Sequence, residues 1–290
     1  MHARLQALLP LLFVLLWSTG FIGAKLGLPF AEPLSFLSIR YVLVIAIMLL
    51  VALASRAPWP TERATVGHIA VSGLLLHGLY LGGVFVSIKH GLPAGIAALV
   101  VGLQPLLTAV GAGALLGERV TRRQWTGLAL GFVGVALVVG GRARLDTVSA
   151  DTLWHMLWPA LVALLAITVG TLYQKRFCPR FDLRTGSVIQ FVPALLITAL
   201  VAAGTESLQV EWHGRFIFAL LWLVLVLSVG AISLLNLLIR QGSATHVASL
   251  FYLTPPVTAL IAWALFDETL SALAVAGMGI AVTGVWLARR

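Results

Sequence analysis

The sequence predicts an all-α polytopic membrane protein, with ten transmembrane helices arranged as two inverted five-helix repeats. Three observations carry that prediction. Hydrophobic residues make up 60% of the 290-residue chain and charged residues 10%, where a soluble domain carries about a quarter charged residues; mean hydropathy is +1.03. Ten apolar stretches near spanning length follow one another with short connections. Residues 94–137 return as residues 244–287, in register and without a gap, at an offset of 150.

Each span is set off by proline, glycine or a cluster of charge. Residues 5–27, with Arg4 ahead of them, have the look of a signal peptide, but the apolar core is too long and similar stretches follow. They form a first span at 7–27. Proline opens the second, 33–54, and the segment from Arg56 to Arg63 divides it from the third, 66–88. Gly91 precedes the fourth, 93–116, which Pro93 opens; Gly117, Glu118 and Arg119 lead into the fifth, 121–141. The sixth, 153–175, ends at Lys175 and Arg176. The seventh to tenth lie at 183–203, 215–239, 242–266 and 271–288, the last two divided at Asp267 and Glu268. The third, fourth, eighth and ninth breaks are tight. Ten spans leave no room for a soluble domain.

The net charge of +9 and pI near 10.8 do not point to nucleic acid, because the basic residues are scattered through short loops with no aromatic-laced stripe. Topology explains them. With both termini cytoplasmic, thirteen basic residues fall inside, among them Arg56, Arg63, Arg119, Arg122, Arg123, Lys175, Arg176 and Arg240, against five outside. Cys178 is the single cysteine, so no internal disulfide forms.

Within the repeat, Pro105 matches Pro255, Thr108 matches Thr258, Glu118 matches Glu268, Gly127 matches Gly277, and Gly134-Val135 matches Gly284-Val285. Such positions coincide by chance less readily than aliphatic ones. The expected units are residues 1–141, a linker at 142–152, and residues 153–290. Five spans per unit is an odd number, so the second unit enters the membrane the other way up. Inverted repeats supply two nearly equivalent states and place a binding site between the halves.

Polar and aromatic residues at mid-depth are the candidates for that site, since burying them in lipid costs energy. Trp17 lies on the first span, His77 and Tyr80 on one face of the third, and Gln104 precedes Pro105 in the fourth. Tyr252 and Thr254 precede Pro255-Pro256 in the ninth, where two missing backbone donors make a break that a cavity tolerates and lipid does not. Trp158, with Trp154, fits an interfacial belt as well as a vestibule wall. Tyr173, Gln174 and Asn236 are expected near solvated helix ends, and Gln190 in an interhelical hydrogen bond. Gly23/Gly27, Gly78/Gly82 and Gly127/Gly131 are expected to pack helices closely.

None of the ten carboxylates falls clearly within a span, which argues against a sodium site or a relay of buried acids. Arg40, near the outer end of the second span, is the one charge inside the bilayer. His77 is the deepest group able to titrate near neutrality. No HExxH, GxSxG or P-loop motif is present, and no metal or cofactor is expected.

On these residues the chain resembles the EamA type of the drug/metabolite transporter superfamily. The resemblance rests on Leu16-Trp17-Ser18-Thr19-Gly20-Phe21 with Lys25, on residues 33–41 from Pro33 to Tyr41, and on the segment from Gln104-Pro105 to Gly117-Glu118 repeated from Thr254-Pro255 to Asp267-Glu268. It covers essentially the whole chain. It implies ten helices in two inverted halves and, in its similarity to bacterial inner-membrane exporters of aromatic and other amino acids, a broad range of apolar or cationic cargo. Trp and Tyr faces suit such cargo. Gln104, Tyr80 and backbone carbonyls are expected to hold the amino acid's polar end.

Two other classes compete. An integral-membrane enzyme acting on lipid-linked substrates would need converging carboxylates or histidines at one membrane face, and none is evident. A purely structural membrane partner has no use for proline-broken, polar spans. Other small metabolites and cationic drugs stay open as cargo, as does the choice between monomer and homodimer. Anionic cargo such as a nucleotide sugar or triose phosphate would demand cationic residues deep in the cavity, and their absence counts against it.

Overall fold

A computed structural model describes residues 2–92, 94–140, 150–178, 180–266 and 271–288. The expected linker 142–152 lies largely outside them, as do Asp267, Glu268, Arg289 and Arg290. The helices gather into ten stretches: α1 (His2–Gly27), α2 (Pro33–Ala54), α3 (Arg63–Lys89), α4 (94–116), α5 (Arg122–Gly140), α6 (Ala150–Phe177), α7 (Leu183–Thr205), α8 (Gly214–Gln241), α9 (244–266) and α10 (Ala272–Ala288). Seven are long and apolar enough to cross a membrane by length and composition, while Leu8–Ala24 within α1 and α10 are shorter apolar helices. Among the described residues the one extended pairing is an isolated bridge between Ala31 and Val210.

Four of the spans are not uniform. α3 passes through a π-helical stretch at Leu74–Leu79, and α8 through one at Leu223–Ala231. The two stretches sit at equivalent places, 150 residues apart. α4 breaks at Gly102-Leu103, and Pro105 sits in the first turn of its second piece, where a missing N–H costs least. α9 has a 3-10 turn at Leu250–Leu253 directly before Pro255-Pro256. Gly117 ends α4 in the left-handed region, φ +69°, which only glycine enters without strain.

Alternation of helix direction gives the bundle an acidic end, with Glu32, Glu206 and Glu211, and a basic end, with Arg56, Arg63, Lys175, Arg176 and Arg240. Carboxylates tie the halves together across helix starts. The Glu206 side chain accepts from the backbone N–H groups of Leu34 (2.8 Å) and Ser35 (2.7 Å) at the start of α2. At the opposite end Glu118 accepts from Ala244 N–H (3.0 Å) at the start of α9. Both place negative charge on a helix N-terminus, which gives the repeated glutamate at position 118 a structural reason.

Two pairs of corresponding helices from the two halves pack closely against one another. α5 and α10 make the most extensive contact in the molecule, and α2 packs closely against α7. The α5–α10 seam depends on glycine: a Cβ at Gly134 would stand 2.4 Å from the backbone of Ala281, and one at Gly127 2.5 Å from that of Ala288. Apolar residues such as Leu50, Leu53, Val110, Leu196 and Leu200 cover the outside, as lipid requires. Aromatics fill the inside, with Tyr41, Phe36, Phe191 and Phe216 fully buried.

Candidate functional site

A cavity of about 50 Å³ opens in the half of the bundle toward the acidic end. Its wall is Trp17, Gly20 and Ala24 of α1, Arg40 of α2, residues 76–88 on one side of α3 including His77 and Tyr80, and Leu223, Leu227 and Ile232 of α8. That space holds a few waters, so a larger guest enters only when a wall helix moves aside. Both π-helical stretches border it, and a widened turn in mid-membrane is a frequent mark of a functional site.

Trp17 is held in place by Phe13 (5.2 Å) and Phe251 (5.3 Å, edge-on). His77 lies parallel to Phe191 at 4.2 Å, and its carbonyl accepts the Tyr41 hydroxyl at 2.8 Å. Arg40 is 3% exposed. Its Nε donates to Ser228 Oγ in the π-helical stretch of α8 at 2.9 Å, and among the described residues no carboxylate faces it.

The fold brings Trp17, His77 and Tyr80 together and leaves the other sequence candidates elsewhere. Gln104 is fully buried on α4, with neither amide atom hydrogen-bonded within the described residues. Tyr252 turns toward α5, where its ring fills the place a Cβ on Gly131 would take. The Thr254 hydroxyl and backbone N–H both donate to the Phe251 carbonyl, whose i+4 donor Pro255 removes. The acceptor opposite Pro255 is thus satisfied locally, and Pro256 is buried. Trp158 is 44% exposed on α6, outside the cavity.

Sequence reasoning placed Gln174 and Asn236 at solvated helix ends; both are 1% exposed. With Gln190 they close a ring toward the basic end. Gln174 Nε2 donates to Asn236 Oδ1 (3.0 Å), Asn236 Nδ2 to Gln190 Oε1 (3.2 Å), and Gln190 Nε2 to Gln174 Oε1 (3.0 Å). Gln190 Nε2 also meets Ser72 Oγ at 3.0 Å. Beyond the ring, Lys175 Nζ donates to the carbonyls of Ile239 and Gly242. Arg40 was the site residue that the sequence set apart as a membrane charge without assigning to the cavity.

Comparison with known proteins follows the same outline. The profile of the EamA-like transporter family matches residues 4–140 and again residues 154–290. A protein of Salmonella typhimurium named a probable amino-acid metabolite efflux pump is 26% identical, over 98% of this chain and 95% of its own. An uncharacterised transporter of Bacillus subtilis is 28% identical over 97% and 90%. A probable terminal-alkyne amino-acid exporter of Streptantibioticus cattleyicolor is 27% identical over 96% and 91%. One crystal structure shares the fold with a TM-score of 0.80 at 22% identity, covering 97% of this chain and 95% of that one.

Proposed function

Since the chain belongs to the EamA-like transporter family, we propose that it is a secondary transporter exporting amino acids, aromatic ones among them, across the bacterial inner membrane by alternating access. One observation carries the reading. A mid-depth cavity faces one end of the bundle, while the equivalent place in the inverted half is filled by the amide ring. Inverted repeats exchange those two conditions to move cargo.

In this reading residues 1–141 and 153–290 are the two repeats, joined by 142–152. The basic end and both termini face the cytoplasm, so the cavity faces outward. Trp17, His77 and Tyr80 bind cargo from the start. Gln104, Tyr252 and Thr254 join the path only as α4 and α9 move, and Trp158 anchors α6 at the interface. The names of the Salmonella and Streptantibioticus relatives support amino acids as the class. A buried arginine in the wall weighs against cationic drugs.

The test is counterflow in proteoliposomes preloaded with phenylalanine, threonine or methionine, with labelled amino acid outside. Label accumulates above empty liposomes, and cross-competition ranks the substrates. An imposed pH gradient then measures coupling through His77. Folded protein that accumulates none of the three removes amino acids as the cargo.

A further inference from the structure

The cavity has one charged group, and nothing in the described structure neutralises it. Arg40 is 3% exposed in a membrane interior, where a lone cation is costly and marks a functional position. A guanidinium carries five N–H donors and no acceptor. One donor, Nε–H, is used by Ser228 Oγ. The two terminal nitrogens make no hydrogen bond to a described residue, and Arg40 borders the cavity directly. A single neutral hydroxyl does not offset the cost of burying a charge; an anion in bidentate contact does.

The rest of the wall narrows the anion. Trp17, Tyr80, Leu223 and Leu227 present aromatic and aliphatic surface around one cation. That suits a monoanion joined to an apolar body, and not a phosphate, which would call for several cations.

We propose that Arg40 is the carboxylate-binding residue of this transporter. The two carboxylate oxygens meet its terminal nitrogens, the side chain of the guest lies along Trp17 and Leu223, and the ammonium is left to the aromatic faces of Trp17 and Tyr80. The assignment builds on the amino-acid reading above and names the group that distinguishes an amino acid from the corresponding amine. It also gives the Ser228 bond a purpose: it orients the guanidinium so that the fork faces the space.

Thermal stabilisation of the purified protein in detergent by three ligands tests this: phenylalanine, 3-phenylpropionate (no ammonium) and 2-phenylethylamine (no carboxylate). The first two raise the unfolding temperature and the third does not. Arg40→Gln weakens the first two by roughly 30-fold or more, the usual loss when one partner of a buried charge pair is removed. Equal stabilisation by the amine, no stabilisation by either carboxylate, or an Arg40→Gln protein that binds carboxylates like the parent overturns the assignment. Binding of 3-phenylpropionate but not phenylalanine, dependent on Arg40, keeps the assignment and removes the amino-acid reading. If Arg40→Gln does not fold, the three-ligand series on the unaltered protein still decides.

Discussion

Toward the acidic end, Arg40 on α2 borders open space and makes one hydrogen bond. Toward the basic end, Gln190 on α7, 150 residues further on, is enclosed by Gln174, Asn236 and Ser72. Ala24 and Gln174 form a second pair at the same offset, one in the cavity wall and one in the ring. The difference is chemical. An amide offers a donor and an acceptor, so three amides complete one another and close. A guanidinium offers only donors, so its surroundings stay incomplete until an acceptor arrives from outside. One inverted repeat thus holds a self-sufficient seal and its counterpart holds a group that needs a guest.

The sharpest way to break this comparison is to break the ring. Gln190→Leu leaves Gln174 Oε1 without that donor and Asn236 Nδ2 without that acceptor, in a setting buried from solvent. The expected loss is about 2–4 kcal/mol, read as a lower unfolding temperature in detergent. Cys178, just past the end of α6, reports whether the seal itself has opened. It is 3% exposed, and burial pushes its thiol up to about 11, so alkylation at neutral pH is slow in the parent. In Gln190→Leu it becomes faster. A variant with unchanged melting and unchanged alkylation means the ring does not seal that end.

How much of this was legible in the sequence depended on what decides each feature. The spans, the duplication and its inversion follow from hydropathy and from matched Pro, Glu and Gly positions, and these are properties of the chain alone. Trp17, His77 and Tyr80 were singled out for their mid-depth on α1 and α3, and all three line the cavity. Depth alone does not give rotation: Tyr252 shares the level but is turned to α5, into the space at Gly131. Gln174 and Asn236 lie near helix ends, yet neighbours from α3 and α7 cover them. Arg40 was visible as a charge, but its place in the wall depends on how α2 meets α8. The π-helical stretches had no local signal, since Leu74–Leu79 is an ordinary leucine-rich run.

A pair of glycines on α3 sharpens the contrast between the closed and open halves. A Cβ at Gly73 would stand 2.2 Å from the backbone oxygen of Gln190, directly behind the ring; at Gly82 the nearest atom is a Leu34 methyl at 3.8 Å. Gly73→Ala therefore forces α3 from α7 and costs about 1–3 kcal/mol. Gly82→Ala meets ordinary contact and is neutral or stabilising by up to about 1 kcal/mol, because alanine favours helix over glycine. Equal melting temperatures for the two variants would mean that the close approach at Gly73 is not real.

On the open side the expected change is in transport. Trp17→Ala and Tyr80→Ala each remove cavity wall and raise KM about tenfold while expression stays intact. Trp17→Phe retains the packing against Phe13 and Phe251 and keeps most of the flux. Trp158→Ala, on the exposed side of α6, leaves KM unchanged. Wild-type flux in both alanine variants would remove these two residues from the path.

The smallest effect tests whether surface charge shares in closing the basic end. Asp182 caps the start of α7, accepting from Arg184 N–H and pairing with its guanidinium at 2.6 Å. Those contacts hold its carboxyl at about 2, below the ordinary 3.8. A carboxyl depressed in the folded state stabilises above its unfolded value, and that contribution is lost as pH falls from about 4 to about 2. Asp182→Asn keeps a capping oxygen and removes the charge, so near neutrality it costs at most a few tenths of a kcal/mol, a gap that closes in acid. Alkylation of Cys178 should not change, because three neutral amides hold the seal regardless of this pair. Faster alkylation in Asp182→Asn would move the seal from the ring to the surface, and the contrast between Arg40 and Gln190 would no longer explain which end is closed.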